Sequence, residues 1–152
     1  MSTADGPRHT ARAIVVHDNQ LLLMERWRDD LHYFSIPGGG IEADEVAEET
    51  VVREILEETS IDVEVIRLVL EMHAGEVVHQ IYLCKYLSGT PELQEHAPEF
   101  IDMTPNNRFK PTWMPLEQIN DLPYVYWEPL KVALVEALEN GFTEEVKIVT
   151  VS

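Results

Sequence analysis

The chain has 152 residues, a length that suits one domain. Apolar residues make up 45% and charged residues 26%, ordinary globular values that exclude disorder as a description of the whole chain. Eleven Lys and Arg against 28 Asp and Glu leave a formal net charge of −17. Such a surface repels phosphate backbones and anionic lipid, which argues against nucleic acid polymers and membranes as partners. A phosphorylated small molecule stays compatible where cations bridge acid to phosphate.

Residues 1–8 are polar and are expected to form a flexible N-terminal segment. They hold no apolar signal region, and no stretch approaches the ~20 apolar residues of a membrane span, so a soluble, cytoplasmic protein is expected. ARAIVVH (11–17) and QLLLMERW (20–27) read as strands joined by Asp18-Asn19, a dipeptide suited to a two-residue hairpin turn. HYFSI (32–36) is a shorter strand that runs into Pro37-Gly38-Gly39-Gly40, expected to stop any regular element. From about Asp44 to Thr59 the period turns helical. VEVIRLVLEMH (63–73) and VVHQIYLCKYL (77–87) resemble two longer strands around Gly75, and 88–107 reads as loop. FKPTWMPL (109–116), interrupted by prolines, suits an edge strand. EPLKVALVEALENG (128–141) is an amphipathic helix with Pro129 near its start and Gly141 past its end, and EEVKIVTV (144–151) adds a final strand. No repeat or linker divides residues 1–152, and the mixture of strands and helices predicts an α/β fold with a mixed sheet packed by helices.

Cys84 is the sole cysteine, so intramolecular disulfides and multi-cysteine zinc sites are excluded, and its strand context reads as a buried inert thiol. Six scattered histidines contain no i,i+4 pair, which disfavours a histidine zinc site. There is no phosphate-loop G-x4-G-K-[ST] run and no G-x-S-x-G elbow.

Residues 37–61, PGGGIEADEVAEETVVREILEETSI, carry the chemistry. Seven acids (Asp44, Glu45, Glu48, Glu49, Glu54, Glu57, Glu58) accompany one base, Arg53, between Asp44 and Thr59. At about 100° per residue, Glu54, Glu57 and Glu58 share an arc of about 100°, bordering a core stripe of Val51, Val52, Ile55 and Leu56. A purely solvated face would place basic residues in the last turn. Here Glu54 and Glu58 repel at i,i+4, and the helix dipole disfavours Glu57 and Glu58 by about 0.3–1 kcal/mol each. Divalent cations in the arc rationalise this, and oxygen-only ligation points to Mg²⁺, with Mn²⁺ as a substitute. The upstream glycines let backbone approach a ligand.

This segment resembles the signature of the Nudix hydrolases, G-x5-E-x7-R-E-U-x-E-E-x-G-U, where U is aliphatic. Gly39, Glu45, Arg53, Glu54, Ile55, Glu57, Glu58 and Ile61 match, eight of nine specified positions over 23 residues without a gap. The departure is Ser60, where the pattern has the glycine expected in a left-handed conformation past the helix end. The resemblance implies a Nudix-type α/β/α sandwich with a mixed central sheet. It also implies Mg²⁺-dependent hydrolysis of a diphosphate bond in a nucleoside diphosphate linked to another group.

By the same resemblance Glu54, Glu57 and Glu58 are the metal ligands, with Glu57 or Glu58 also orienting or deprotonating water. Arg53 positions these carboxylates, Glu45 supports Arg53, and Gly38 and Gly39, with backbone near Gly40, shape the loop that meets substrate. Arg26 is a candidate phosphate contact, set against a plain strand-end arginine. Glu95 and Glu99 are candidates for a loop-borne general base, set against loop surface. Trp27, Tyr33 and Phe34 are a candidate stacking surface, set against core aromatics. Asn106, Asn107, Arg108 and Lys110 form a polar patch suited to substrate selection or to a simple turn. The subfamily markers for ADP-ribose and dinucleoside polyphosphates are missing: residues 76–78 are Glu, Val and Val, the first downstream proline is Pro91, and Tyr82 falls late. Their absence tilts the expected substrate toward a nucleoside triphosphate, oxidised ones included. The alternatives are a sensor module that binds nucleotide without turnover and a plain divalent-cation binder. Many relatives pair through sheets or helices, which leaves a homodimer open.

Overall fold

The computed structural model describes residues 8–92, 103–123 and 128–151. Strands β1 (Arg8–His17), β2 (Gln20–Arg28), β3 (Leu31–Ser35) and β4 (Gly38–Gly40) precede helix α1 (Ala47–Thr59). Strands β5 (Asp62–Ala74), β6 (Val77–Ser88) and β7 (Asn107–Pro115) follow, then a 3₁₀ turn (Leu116–Asp121), helix α2 (Glu128–Asn140) and β8 (Lys147–Val151). The sheet runs β3-β2-β1-β6-β5-β8, with β4 on β1 and β7 on β2. β1 pairs with β6, and β5 with β8, in parallel; the remaining pairs are antiparallel, so the sheet is mixed as expected.

The hairpin turn at Asp18-Asn19 has φ of 51° and 60°, the two left-handed residues that match the twist of flanking strands. Among the described strands, proline-bearing β7 pairs with β2 alone, at an edge. Strand alternation splits the apolar residues between two cores. Leu22, Ala11, Ala13 and Val15 pack under α1 through Val51 and Ile55. Ile14, Leu21, Leu23 and Phe34 join Leu130, Ala133 and Leu134 of α2. Each fully buried aliphatic side chain contributes about 1.5–3 kcal/mol, and helices on both faces complete an α/β/α sandwich.

Three expectations need correction. Arg8 belongs to β1 and donates its backbone N–H to the Glu76 carbonyl at 2.9 Å; residues 1–7 lie outside the described residues. The glycine run does not end regular structure, for Gly38–Gly40 pairs antiparallel with Thr10–Arg12. A Cβ on Gly38 would overlap the Ala11 carbonyl oxygen, so glycine is what permits the pairing. Leu56 does not face the core: it is 42% exposed, while Thr50, Glu58 and Thr59 are buried beside Val51 and Ile55. The buried stripe of α1 is therefore rotated onto Glu58. The 3₁₀ turn at Leu116–Asp121, which buries Ile119, carries no periodic signal in so short a run.

Candidate active site

Helix α1 begins after the glycine strand, with Glu49 Oε1 accepting the Val46 backbone N–H at 3.4 Å. It ends at Ser60, whose φ of 62° is left-handed, as the position demands. The serine hydroxyl donates to the Glu92 carbonyl at 2.6 Å, while the Glu92 N–H bonds the Thr59 carbonyl at 2.9 Å. These bonds offset the roughly 1 kcal/mol cost of a side chain there and tie the helix end to residues 89–92. Glu95 and Glu99 lie outside the described residues.

Arg53 is the hub of the acidic arc. Its Nε and Nη2 donate to the two Glu45 oxygens at 2.7 and 3.0 Å, a bidentate pair. Its Nη1 reaches Glu54 Oε1 at 3.2 Å and Glu57 Oε2 at 3.5 Å. The bonds from Arg53, then Thr50, hold the Glu45 carboxyl down at about 2, and Glu45 in turn raises the Arg53 guanidinium. Glu58 is 6% exposed, and its Oε2 accepts the Gly38 N–H at 3.0 Å. Gly39 lies against Glu54: a Cβ there would sit 2.5 Å from Glu54 Cδ and Oε1. The sheet register of β4 thus sets Gly38 and Gly39 against Glu58 and Glu54.

Among the described residues, no three carboxylate, imidazole or thiol groups converge in a ready-made cation cage. The donor set nevertheless fits a hard divalent ion. Glu54, Glu57 and Glu58 are carboxylates on one helix, and a guanidinium nitrogen bridges Glu54 and Glu57 where a positive charge is accommodated. Magnesium is ordinarily held by one or two carboxylates plus substrate oxygens and waters, which needs no closed cage.

Arg12 on β1 escaped the sequence reading. Its Nη1 donates to the Ile36 carbonyl at 2.8 Å and its Nε to His79 Nδ1 at 3.3 Å. Burial lowers the Arg12 guanidinium, while the Glu58 and Glu54 charges act the other way. The available signal was an arginine inside an apolar strand, ARAIVV, where a charge needs partners. Arg26 on β2 shares one register row with Tyr33 of β3 and Phe109 of β7. Its guanidinium lies 4.1 Å from the Phe109 ring centroid and 5.6 Å from that of Tyr33. Arg26 Nε is buried without a hydrogen bond among the described residues, a cost of about 1–3 kcal/mol. A cavity of about 210 Å³ is lined by Arg12, Arg26, Gly38, Glu58 and Phe109, among others.

The candidate stacking aromatics do not act as one surface. Trp27 alternates to the other side of β2 from Arg26, stacked on His32 at 5.0 Å with Arg108 over it at 4.7 Å. Phe34 is core, and only Tyr33 accompanies Arg26. The same alternation separates Phe109 from Arg108 and Lys110, so the polar patch does not join the cavity as a unit. Cys84 is 3% exposed and burial pushes its thiol up to about 12, an inert group.

His79 Nδ1 faces both the Thr10 hydroxyl at 2.6 Å and Arg12 Nε at 3.3 Å, so it serves as acceptor and the ring stays neutral. Burial, then Arg12 and Arg8, push its pKa from 6.5 down to about 4. Between those values the unfolded chain binds the extra proton, so stability is full above 6.5 and falls as pH drops toward 4. Urea unfolding at pH 7 and pH 5 is expected to show the native chain losing about 2 kcal/mol more than His79→Asn, which keeps an acceptor. Equal losses in the two proteins would refute the assignment.

Comparisons with known proteins agree with this geometry. The profile of the NUDIX domain family matches residues 7–134. An ADP-ribose pyrophosphatase of Methanocaldococcus jannaschii is 29% identical over 107 residues, covering 64% of this chain and 63% of that protein. A NUDIX hydrolase from Nitrosomonas europaea superposes with a TM-score of 0.71 at 19% identity, covering 96% of this chain and 80% of that one. A MutT NUDIX hydrolase from Burkholderia pseudomallei does so with a TM-score of 0.63 at 28% identity, covering 86% and 97%. With the family profile spanning most of the chain and the glycine strand set against the acidic helix, this protein belongs to the NUDIX domain family.

Proposed function

We propose that the chain is a Mg²⁺-dependent pyrophosphohydrolase acting on a nucleoside diphosphate linked to a further group, with Mn²⁺ as an alternative ion. The observation that carries this reading is Glu58 on the wall of a cavity shared with Gly38, Arg12 and Arg26, with Glu54 set against Gly39 and joined to Glu57 through Arg53. Glu54, Glu57 and Glu58 would hold the ion. When bound, a divalent cation neutralises phosphate oxygens and makes water nucleophilic near neutral pH. Arg53 holds Glu54 and Glu57 in place and is itself held by Glu45. Glu57 or Glu58 orients water or takes its proton, and the Gly38 backbone fixes the Glu58 carboxylate. Arg26 meets a phosphate oxygen.

Two substrate classes compete within this reading. The similarity to the archaeal ADP-ribose pyrophosphatase favours ADP-ribose. The missing downstream proline favours a nucleoside triphosphate. A hydrolysis panel separates them: ADP-ribose, standard and 8-oxo nucleoside triphosphates, a dinucleoside polyphosphate and a nucleotide sugar, each with and without Mg²⁺. Turnover of one class that disappears on chelation is the expected result. Nucleotide binding without turnover of any compound would instead identify a sensor module.

A further inference from the structure

We propose that Arg12 and Arg26 form a two-guanidinium subsite that holds a phosphate group of the substrate, Arg12 being a substrate-positioning residue that lies outside the glycine–glutamate signature. The inference rests on the diphosphate reading above. Both arginines line the same cavity of about 210 Å³, with Gly38 and Glu58 on its wall and room for a phosphoryl group. They reach it from different strands and are held by different means. Arg12 donates to the Ile36 carbonyl and to His79, and His79 in turn meets the Thr10 hydroxyl. Arg26 is held by the rings of Phe109 and Tyr33 in a three-strand row, and its buried Nε has no hydrogen-bond partner among the described residues.

Two like charges lining one cavity repel each other, and the Arg26 charge disfavours the charged form of Arg12. Glu58 and Glu54 balance Arg12 in the structure described here. Were a cation to engage those carboxylates, Arg12 would lose its counter-charge, and an anion between the two guanidiniums would restore it. Guanidinium matches phosphate through parallel N–H donors, whereas lysine would supply only a point charge. Phe109 and Met24 complete the wall beside the two guanidiniums.

The test uses methylenediphosphonate, which has no cleavable bridge, titrated calorimetrically into the Mg²⁺-loaded native chain, Arg12→Gln, Arg26→Gln and the double variant. Each single variant is expected to raise Kd about tenfold or more, and the two losses are expected to be non-additive because both groups hold one anion. In the native chain the probe is expected to shift the ¹⁵N-edited Nε–H signals of both arginines. That second measurement decides the matter even if Arg12→Gln fails to fold. An unchanged Kd in Arg12→Gln, or a native Arg12 signal that does not move, overturns the subsite. Binding through both arginines with no turnover in the substrate panel would refute the hydrolase reading alone. Turnover with KM unchanged in Arg12→Gln would refute the subsite alone.

Discussion

Replacing Glu58 with Gln is expected to lower kcat by about 10²–10⁴-fold while leaving the fold in place. Glu58 lies in the last turn of α1, where the helix dipole disfavours an anion, and it is nearly fully buried. A buried carboxylate in that position is explained by what it binds. Its neighbours include a backbone N–H and the Arg12 charge, and glutamine still offers an oxygen to the Gly38 N–H at the same place. What the substitution removes is the negative charge, and with it, in the proposed mechanism, a ligand for a hard cation and a base for water. Glu57→Gln should fall in the same range, since Glu57 meets the same Arg53 nitrogen as Glu54. Steady-state kinetics with the preferred substrate, beside thermal melts, checks both. Activity within a few-fold of native in either variant would remove that carboxylate from the mechanism.

The second large effect separates two neighbouring glycines. Alanine at Gly39 places Cβ 2.5 Å from Glu54 Cδ and Oε1. The obstructing atoms end a flexible side chain, so Glu54 swings aside at a cost below about 1 kcal/mol. Displacement by about an ångström of a carboxylate proposed to hold the ion is expected to reduce kcat/KM by about 100-fold. Gly38 behaves oppositely. Its φ is +152°, and an added Cβ meets the Ala11 carbonyl and the Arg12 Cα, which are backbone atoms of the paired strand. Gly38→Ala therefore destabilises by about 3 kcal/mol or more, with β4 pulled from β1. Urea unfolding and kinetics on the two variants provide the check. A stable, inactive Gly39→Ala beside an unstable Gly38→Ala is the expected pattern; the reverse would mean that β4 does not present its glycines to α1 as described.

Ser60 shows how a mismatch in a motif resolves in three dimensions. As a letter it departs from the glycine of the signature, and its left-handed φ of 62° is the conformation that glycine would have supplied. The hydroxyl bond to the Glu92 carbonyl offsets the strain, through a partner 32 residues away that no local pattern indicates. The glycine strand was misread for a related reason. Pro-Gly-Gly-Gly has the composition of a turn, yet the close approach of β1 requires residues without Cβ, and that approach belongs to the pairing partner.

The amino-acid sequence by itself determined the helix that carries Glu54, Glu57 and Glu58, the strands around it other than the glycine strand, and the mixed α/β class. Periodicity, turn dipeptides and end signals are properties of contiguous residues, and they survive in the one-dimensional string. Only the tertiary structure decided which side of α1 is buried, that Gly38 and Gly39 face Glu58 and Glu54, and that Arg12, Arg26 and Phe109 share a cavity. These contacts join separate strands, with Arg12 and His79 standing 67 positions apart. Their energies depend on burial and on the approach of groups remote in sequence, and such proximity is set by sheet register and packing.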